Sequence, residues 1–323
     1  MKLSELGPAL SLELPPLKAD NSSPWFVQFV VGVCGWFAGL LILVVVAITM
    51  GDFLRMSVSG LIPLGGLGCA IAAGLYSAGG RLGPFAGQFA LALSFAGQAA
   101  LGIGIGADSR SLTVVCFGMF VVELVLVVIM RNGFHRFLST LAAVSAWALA
   151  MRGVLLNDIA KSAASAPTGG GLFVSLILWL IVWAPVAFAA WWLVRHEGQW
   201  IGEGNSAVLR PVTAGLIAAL SVGPMALHPA AFWNEFQSSR GGAVDPWTAL
   251  WPLLAVLLAL FALWLAFTVR NHALMGAAIL FGLLQLSGFY YVLGTTLLIK
   301  SMLMLAIGAV LFAAARGLEE RKI

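Results

Sequence analysis

Charged residues are scarce in this sequence, and their scarcity limits what the protein can be. Of its 323 residues, 17 are lysine or arginine and 13 are aspartate or glutamate, so charged residues form 9% of the chain against 61% hydrophobic residues. A soluble domain needs far more polar surface than this composition supplies. The sequence therefore excludes a soluble domain of appreciable size.

Cysteine is also rare, and its placement argues against disulfides and structural metal sites. Cys34, Cys69 and Cys116 all fall inside apolar stretches, and the chain has no C-x-x-C pair. We interpret these thiols as small, buried apolar side chains.

Catalytic and metal-binding motifs are missing as well. The chain has no P-loop, no G-x-S-x-G elbow and no H-E-x-x-H motif. The histidines fall in predicted connections without a second ligand at helical metal spacing, so we expect solvated loop residues. They are His135, His196, His228 and His272. The sequence predicts no metal, no cofactor and no enzymatic activity.

Apolar stretches, by contrast, fill the chain. A bilayer core of about 30 Å is crossed by about 20 apolar residues in a helix, and about ten such stretches follow one another. The predicted spans are 26–49, 58–78, 84–104, 111–130, 137–155, 171–194, 208–227, 247–268, 272–289 and 293–313. They predict an all-α fold, a polytopic integral membrane helix bundle with about ten transmembrane helices.

The spans define one domain and two short tails. Residues 25–315 are predicted to form a single transmembrane helical domain, flanked by a disordered tail, 1–24, and a second tail, 316–323. Lysine and arginine are more frequent in the loops on the side of the tails, which predicts that both termini are cytoplasmic. The net charge of +4 comes from scattered residues. We therefore expect contact with the lipid bilayer and no nucleic-acid binding.

Glu123 is the strongest candidate for a functional residue. It interrupts the fourth predicted span in the sequence V-V-E-L-V, residues 121–125. A carboxylate inside the bilayer is costly unless it is paired, hydrated or protonated. Two interpretations stay open. Glu123 is either a proton-titrating or cation-binding site that faces the bundle interior, or a protonated acid that bonds a neighbouring helix for packing.

Three further polar side chains are candidates for the same intramembrane polar site. Lys300 lies in the last predicted span, where it either extends to the headgroups or pairs with Glu123. Gln88 and Gln98 lie in the third span, where they either line a polar cavity near Glu123 or bond neighbouring helices.

Glycine and proline mark particular helix surfaces. Gly32, Gly35 and Gly39 recur at three- and four-residue steps on the first span. Such a smooth stripe favours close helix packing within one chain over dimerisation, and the oligomeric state stays open. Pro63 and Pro185 predict breaks in the second and sixth spans.

Several short segments carry a family resemblance. Residues 288–293 read G-F-Y-Y-V-L and residues 296–301 read T-L-L-I-K-S, followed by Gly308. With P-W-F-V-Q at 24–28 and L-S-F-A-G-Q-A at 93–99, they resemble a bacterial family of unknown function, DUF4401, with the related family DUF2157 as a close alternative. The motif positions that the resemblance picks out are Tyr290, Tyr291, Lys300 and Ser301.

The resemblance implies a protein of the bacterial cytoplasmic (inner) membrane with unknown activity. It also implies a candidate partner, an envelope protein encoded nearby that carries a G-D-Y-x-x-L-x-Y motif. It implies no catalytic residue.

Three functions stay open. The first is a non-enzymatic membrane subunit or scaffold that works with an envelope partner, favoured by the lack of motifs and the many packing glycines. The second is a small-solute or proton-coupled transporter that uses Glu123 and Lys300. The third, a membrane-embedded lipid-modifying enzyme, requires at least two titratable groups within hydrogen-bond reach at one helix interface.

Overall fold

The chain is helical throughout the part that its structure describes. The computed structural model describes residues 30, 33–39, 41, 45, 60–78, 83–163, 171–202, 204–226, 251–292 and 297–320. Its regular helices are α1 (Leu61–Ser77), α2 (Gly83–Ser109), α3 (Leu112–Ile129), α4 (Gly133–Ala163), α5 (Gly171–Arg195), α6 (Glu197–Gly202), α7 (Ser206–Ala226), α8 (Trp251–Thr268), α9 (His272–Val292) and α10 (Leu297–Glu320). Residues 33–39 are helical as well. The predicted all-α fold is confirmed for these residues.

Four stretches of helix are long and apolar enough to cross a membrane. They are Phe85–Ser109 in α2, Leu112–Ile129 in α3, Gly133–Val154 in α4 and Ser206–Gly223 in α7. Shorter apolar stretches lie in α1, α5, α8, α9 and α10. The predicted number of about ten transmembrane helices therefore stays a prediction beyond these four.

Neither of the two singled-out prolines interrupts its helix. Pro63 lies in the first turn of α1, where a missing backbone N–H removes no intrahelical hydrogen bond. Helix α5 continues through Pro185 from Gly171 to Arg195. The breaks predicted at both positions are wrong.

Helices α1 to α4 pack in sequence order, and glycines let α1 and α2 approach closely. A Cβ atom added at Gly97 of α2 would lie 2.6 Å from the carbonyl oxygen of Gly65 and 3.0 Å from the backbone nitrogen of Cys69. Only a residue without a side chain fits such a backbone contact. The two helices therefore meet through their backbones at this level.

Helix α7 is the centre of the remaining helices and packs against α4, α5, α8 and α9. Its residues 216–221 are all buried. A side chain at Gly223 would collide with the ring of Trp183, so this glycine makes room for the indole. The indole of Trp147 donates a hydrogen bond to the carbonyl of Val182 at 3.1 Å and joins α4 to α5.

Arg136 ties the two groups of helices together. Its Nε donates to the carbonyl of Val127 at 3.1 Å, and its Nη1 donates to the carbonyl of Ala207 at 2.9 Å. A guanidinium has no acceptor and several donors, so it suits backbone carbonyls at helix ends. Arg136 thus joins the end of α3 and the start of α4 to the first turn of α7.

Some sequence predictions concern residues at or beyond the limits of the described ranges. The tail 1–24 and Gly32 lie outside the described residues, and α10 continues to Glu320, inside the predicted tail 316–323. Cys69 and Cys116 are buried, whereas Cys34 is exposed. The prediction of a buried thiol is therefore wrong for Cys34.

Candidate functional site

Helix α3 buries its acid and exposes a face that carries several valines. Glu123 is 2% exposed, whereas Val121, Val125 and Val128 are between 49% and 73% exposed. These valines lie at i, i+4 and i+7, which is one face of a helix. In water the arrangement would be inverted. An apolar outer face around a buried carboxyl is the arrangement expected in lipid.

The start of α4 places a histidine opposite this acid. The side-chain oxygen of Asn132 accepts hydrogen bonds from the backbone N–H groups of Phe134 at 2.9 Å and His135 at 3.1 Å. This is an N-cap, and it puts His135 in the first turn of the helix. Ser139 follows four residues later, on the same face. Both side chains are buried.

His135 is bonded through both ring nitrogens. Its Nε2 lies 2.8 Å from Oγ of Ser94 in α2, and its Nδ1 lies 3.2 Å from Oγ of Ser139. The amide nitrogen of Gln98 donates to Oγ of Ser94 at 3.3 Å. Ser139 also interacts with the carboxyl group of Glu123. We call these five residues, Gln98, Ser94, His135, Ser139 and Glu123, the polar network.

The amide of Gln98 determines the direction of one of these hydrogen bonds. An amide nitrogen can only donate, so the Ser94 oxygen accepts from Gln98. A hydroxyl oxygen can accept twice, so the donor and acceptor roles of Ser94, His135 and Ser139 depend on the imidazole tautomer. In the tautomer with its proton on Nδ1, Ser94 donates to Nε2 and the imidazole donates to Ser139.

Aromatic rings enclose the imidazole. The ring of Phe95 stacks on His135 at 5.9 Å between centroids and 11° between planes, and Tyr76 of α1 meets it edge-on at 6.0 Å and 75°. Trp36, in the helical segment 33–39, packs against Phe95 at 5.9 Å. Such pairs fix ring orientation. The imidazole is therefore held from both sides as well as through its nitrogens.

Two buried polar atoms beside the imidazole are left unpartnered. Among the described residues, the hydroxyl of Tyr76 and Oε2 of Glu123 have no hydrogen-bond partner. Buried polar atoms are normally satisfied, so such exceptions point to a ligand, a water or a proton that the protein exchanges. The thiol of Cys69 is also close and donates to the backbone carbonyl of Ser94 at 3.7 Å.

The structure brings two of the four predicted polar-site residues together. Glu123 and Gln98 are the two ends of the polar network. Gln88 is half-buried and lies ten residues before Gln98 on the same helix, α2. A Cβ atom added at Gly35 would lie 2.8 Å from the Cβ atom of Gln88. Gly39 faces Ala92 of α2. Gly35 and Gly39, two members of the predicted glycine stripe, therefore lie against α2.

Lys300 lies in a different place from Glu123. Its ammonium group lies 5.1 Å from the ring centroid of Tyr290, a cation–π contact across the α9–α10 connection. Two of the motif positions therefore contact each other. Ser301 donates to the carbonyl of Leu297 at 2.9 Å within α10, and Tyr291 lies near the end of α9.

Sequence reasoning missed His135, Ser94 and Ser139. The prediction that His135 is a solvated loop residue is wrong, because α4 begins at Gly133 and not at residue 137. Asn132 before an apolar run is a helix-start signal that locates this boundary. Applied there, it places His135 and Ser139 on one helix face. Within the described ranges, no group of three or more His, Cys, Asp or Glu side chains could hold a metal ion.

The features described so far indicate a helical protein that is associated with a membrane. In its described ranges the chain is helical, has four helices long and apolar enough to cross a membrane, and encloses an acid, a histidine and two serines between helices with apolar outer faces. Residues 24–251 and 247–321 match the family described as domain of unknown function DUF4401. The protein belongs to this family, and the predicted membership is confirmed. No curated protein and no solved structure matches the chain.

Proposed function

We propose that this is a multi-pass protein of the bacterial cytoplasmic membrane whose polar network exchanges a proton during transport of a small solute. The observation that carries the proposal is the path of hydrogen-bonded side chains from Ser94 through His135 to Ser139, which interacts in turn with the buried carboxyl of Glu123. Each member either titrates or passes a proton through a hydroxyl.

The cost of the site supports a role beyond packing. A buried carboxyl without a cation loses its hydration, and an ionisable residue inside a membrane segment is by default a functional hypothesis. The described partner of Glu123 is a neutral hydroxyl. An apolar side chain would pack here at lower cost, so retention of an acid favours a role in which its charge changes.

The groups that surround Glu123 leave it dependent on its own proton for neutrality. Among the described residues, Cys69 and Tyr76 of α1 and His135 of α4 are titratable side chains of this region. The guanidinium of Arg136 is directed to backbone carbonyls of α3 and α7. Within this described set, proton binding is the way to neutralise the carboxylate.

The position of the network in depth suits a proton entrance. Glu123 is about 9 Å from the end of α3 at 1.5 Å per residue, and His135 is in the first turn of α4. With about ten spans and both termini in the cytoplasm, as we propose, the α3–α4 connection faces the cytoplasm. His135 then receives protons from that side, and Glu123 holds them deeper in the bilayer.

Infrared difference spectroscopy tests proton exchange without knowledge of the solute. The full-length protein is reconstituted in lipid and stepped between acidic and alkaline buffer. We expect a carbonyl band of a protonated carboxylic acid to appear and disappear, to shift in Ser139→Ala and to be absent in Glu123→Gln. If no such band depends on Glu123 at any pH, the proposal is wrong.

Transport is tested in inverted membrane vesicles that carry a pH gradient. A panel of amino acids, sugars and organic acids is added, and the gradient is followed with a fluorescent amine. We expect at least one compound to dissipate the gradient with wild-type protein and not with Glu123→Gln. If Glu123 titrates but no compound moves protons, the scaffold role with an envelope partner is the better description.

A further inference from the structure

We propose that Ser94 is a nucleophile for acyl transfer, activated by His135, and that its substrate is a neutral ester carried on an apolar chain. This activity goes beyond proton exchange and assigns a second chemistry to part of the polar network.

The geometry has the elements that an activated serine requires. Ser94 Oγ is 2.8 Å from Nε2 of His135, which is hydrogen-bond reach for a general base. The other ring nitrogen is held at 3.2 Å by Ser139, which interacts in turn with Glu123. A nucleophile, a base and an orienting group behind the base form the arrangement of serine hydrolases, which is recognised by geometry and not by sequence order.

The hydrogen bonds permit the reaction in one imidazole tautomer. Gln98 donates to the Ser94 oxygen, and with the imidazole proton on Nδ1 the Ser94 hydroxyl donates to Nε2 of His135. In that tautomer the base is already in line with the proton that it accepts. Phe95 and Tyr76 hold the imidazole plane, so that no reorientation of the ring precedes proton transfer.

The reaction balances with the groups present. Ser94 Oγ forms a bond to the ester carbonyl carbon while its proton passes to Nε2 of His135. The ester C–O bond then breaks, and the proton on Nε2 passes to the departing alkoxide oxygen to give a neutral alcohol. A water molecule or a second alcohol attacks the acyl-Ser94 ester by the same route in reverse. We assign the role of donor to the carbonyl oxygen, as it gains charge, to the side-chain amide of Gln98, which lies 3.3 Å from Ser94 Oγ.

The surroundings select an apolar, uncharged substrate. Ser94 has no exposed surface, and Ala90 and Leu101 of the same helix are buried in an apolar cluster with Cys69 of α1, whose thiol contacts the Ser94 carbonyl. A chain that reaches Ser94 must pass between helices whose outer faces are apolar. The guanidinium of Arg136, the residue after His135, is directed to backbone carbonyls. Among the described contacts a phosphate leaving group therefore finds no free cation, and a neutral ester on an acyl chain fits best.

The experiment uses full-length protein in lipid bilayers and a long-chain alkyl fluorophosphonate, which reacts covalently with activated serines. We expect mass spectrometry to locate the adduct on Ser94. The adduct should be absent in Ser94→Ala, and its rate of formation should fall at least about 100-fold in His135→Gln, because general-base catalysis contributes about 10²–10⁴. Gln98→Leu should lower the rate less and leave the adduct on Ser94.

Two exposed serines are matched controls. Ser145 of α4 donates to the carbonyl of Leu141, and Ser301 of α10 donates to that of Leu297, both at 2.9 Å. Neither faces a histidine in the described contacts, so neither should be labelled, and Ser145→Ala should label like wild type. The nucleophile proposal is overturned if Ser94 carries no adduct, if all serines label alike, or if His135→Gln reacts at the wild-type rate.

The outcomes separate the two proposals. A pH-dependent Glu123 carbonyl band without a Ser94 adduct leaves proton exchange standing and removes acyl transfer. A Ser94 adduct without such a band leaves acyl transfer and removes proton exchange. Because the adduct is located in wild-type protein, the labelling of Ser94 itself is decided even where a variant fails to fold.

Discussion

Asn132 accepts a hydrogen bond from the backbone N–H of His135 at 3.1 Å, and this bond connects the start of a helix to a candidate functional site. The cap determines where α4 begins, and the first turn determines which way the imidazole points. A half-buried residue at the helix start is in this way responsible for the position of a fully buried one.

Replacing Asn132 with alanine should therefore disturb both stability and the polar network. We expect Asn132→Ala to lower the free energy of unfolding by about 0.5–2 kcal/mol, the usual cost of a lost N-cap. It should also change the chemical shifts of the His135 ring nitrogens. Asn271→Ala is the control, because Asn271 caps α9 through the backbone N–H groups of Ala273 and Leu274. If that variant shifts the His135 resonances equally, the local argument fails.

Removing the hydroxyl that joins His135 to Glu123 should cost more than removing an exposed one. Ser139→Ala leaves a ring nitrogen and a buried carboxyl without their described partner, and we expect a loss of about 1–3 kcal/mol in the free energy of unfolding. Ser145→Ala, on the same helix, removes an exposed bond to the carbonyl of Leu141 and should change stability little. Equal losses in denaturant titrations in detergent would contradict the network.

The α1–α2 crossing should tolerate no side chain at Gly97. The carbonyl of Gly65 would be 2.6 Å from an added Cβ, and backbone atoms cannot move aside cheaply, so Gly97→Ala should destabilise the protein by about 1–3 kcal/mol. Gly87 of the same helix has nothing within 4 Å of an added Cβ. Gly87→Ala should be neutral or stabilising by up to about 1 kcal/mol. The two variants showing the same thermal unfolding would refute close helix contact as the cause.

Glu123 and Lys300 should behave independently. Lys300 contacts the ring of Tyr290, and Glu123 interacts with Ser139, so the effects of Glu123→Gln and Lys300→Met on unfolding free energy should add within about 0.5 kcal/mol. The double-mutant cycle distinguishes independent residues, whose effects add, from the Glu123–Lys300 ion pair that the sequence left open. Restoration of stability in the double variant would establish the pair.

Two residues of the site could be predicted from the sequence, because burying a polar side chain in an apolar stretch costs free energy whatever its neighbours in space are. Glu123 stands out since any carboxyl in an apolar run must find an exceptional environment. Gln98 was selected for the same reason. Ser94 and Ser139 gave no such signal, because a serine inside an apolar helix can bond its own i−4 carbonyl, as Ser145 and Ser301 do.

His135 was missed because the start of its helix was located wrongly in the sequence. A helix that starts at 137 leaves this residue in a loop, whereas one that starts at Gly133 turns it into the bundle. The four-residue difference lies within the ordinary error of locating helix ends from sequence. Only the Asn132 cap distinguishes the two cases.

Composition and spacing alone determined that this chain is helical and has apolar stretches of membrane-crossing length. Both properties follow from the length and apolar character of each stretch, and neither depends on which residues lie next to it in space. Which polar side chains meet was decided by the tertiary structure. Ser94 and His135 are separated by 41 residues, and their contact depends on the depth at which α2 and α4 lie relative to each other. The cap at Asn132 marks in the sequence where α4 begins, but no pattern along the chain records which residue of α2 the first turn of α4 meets.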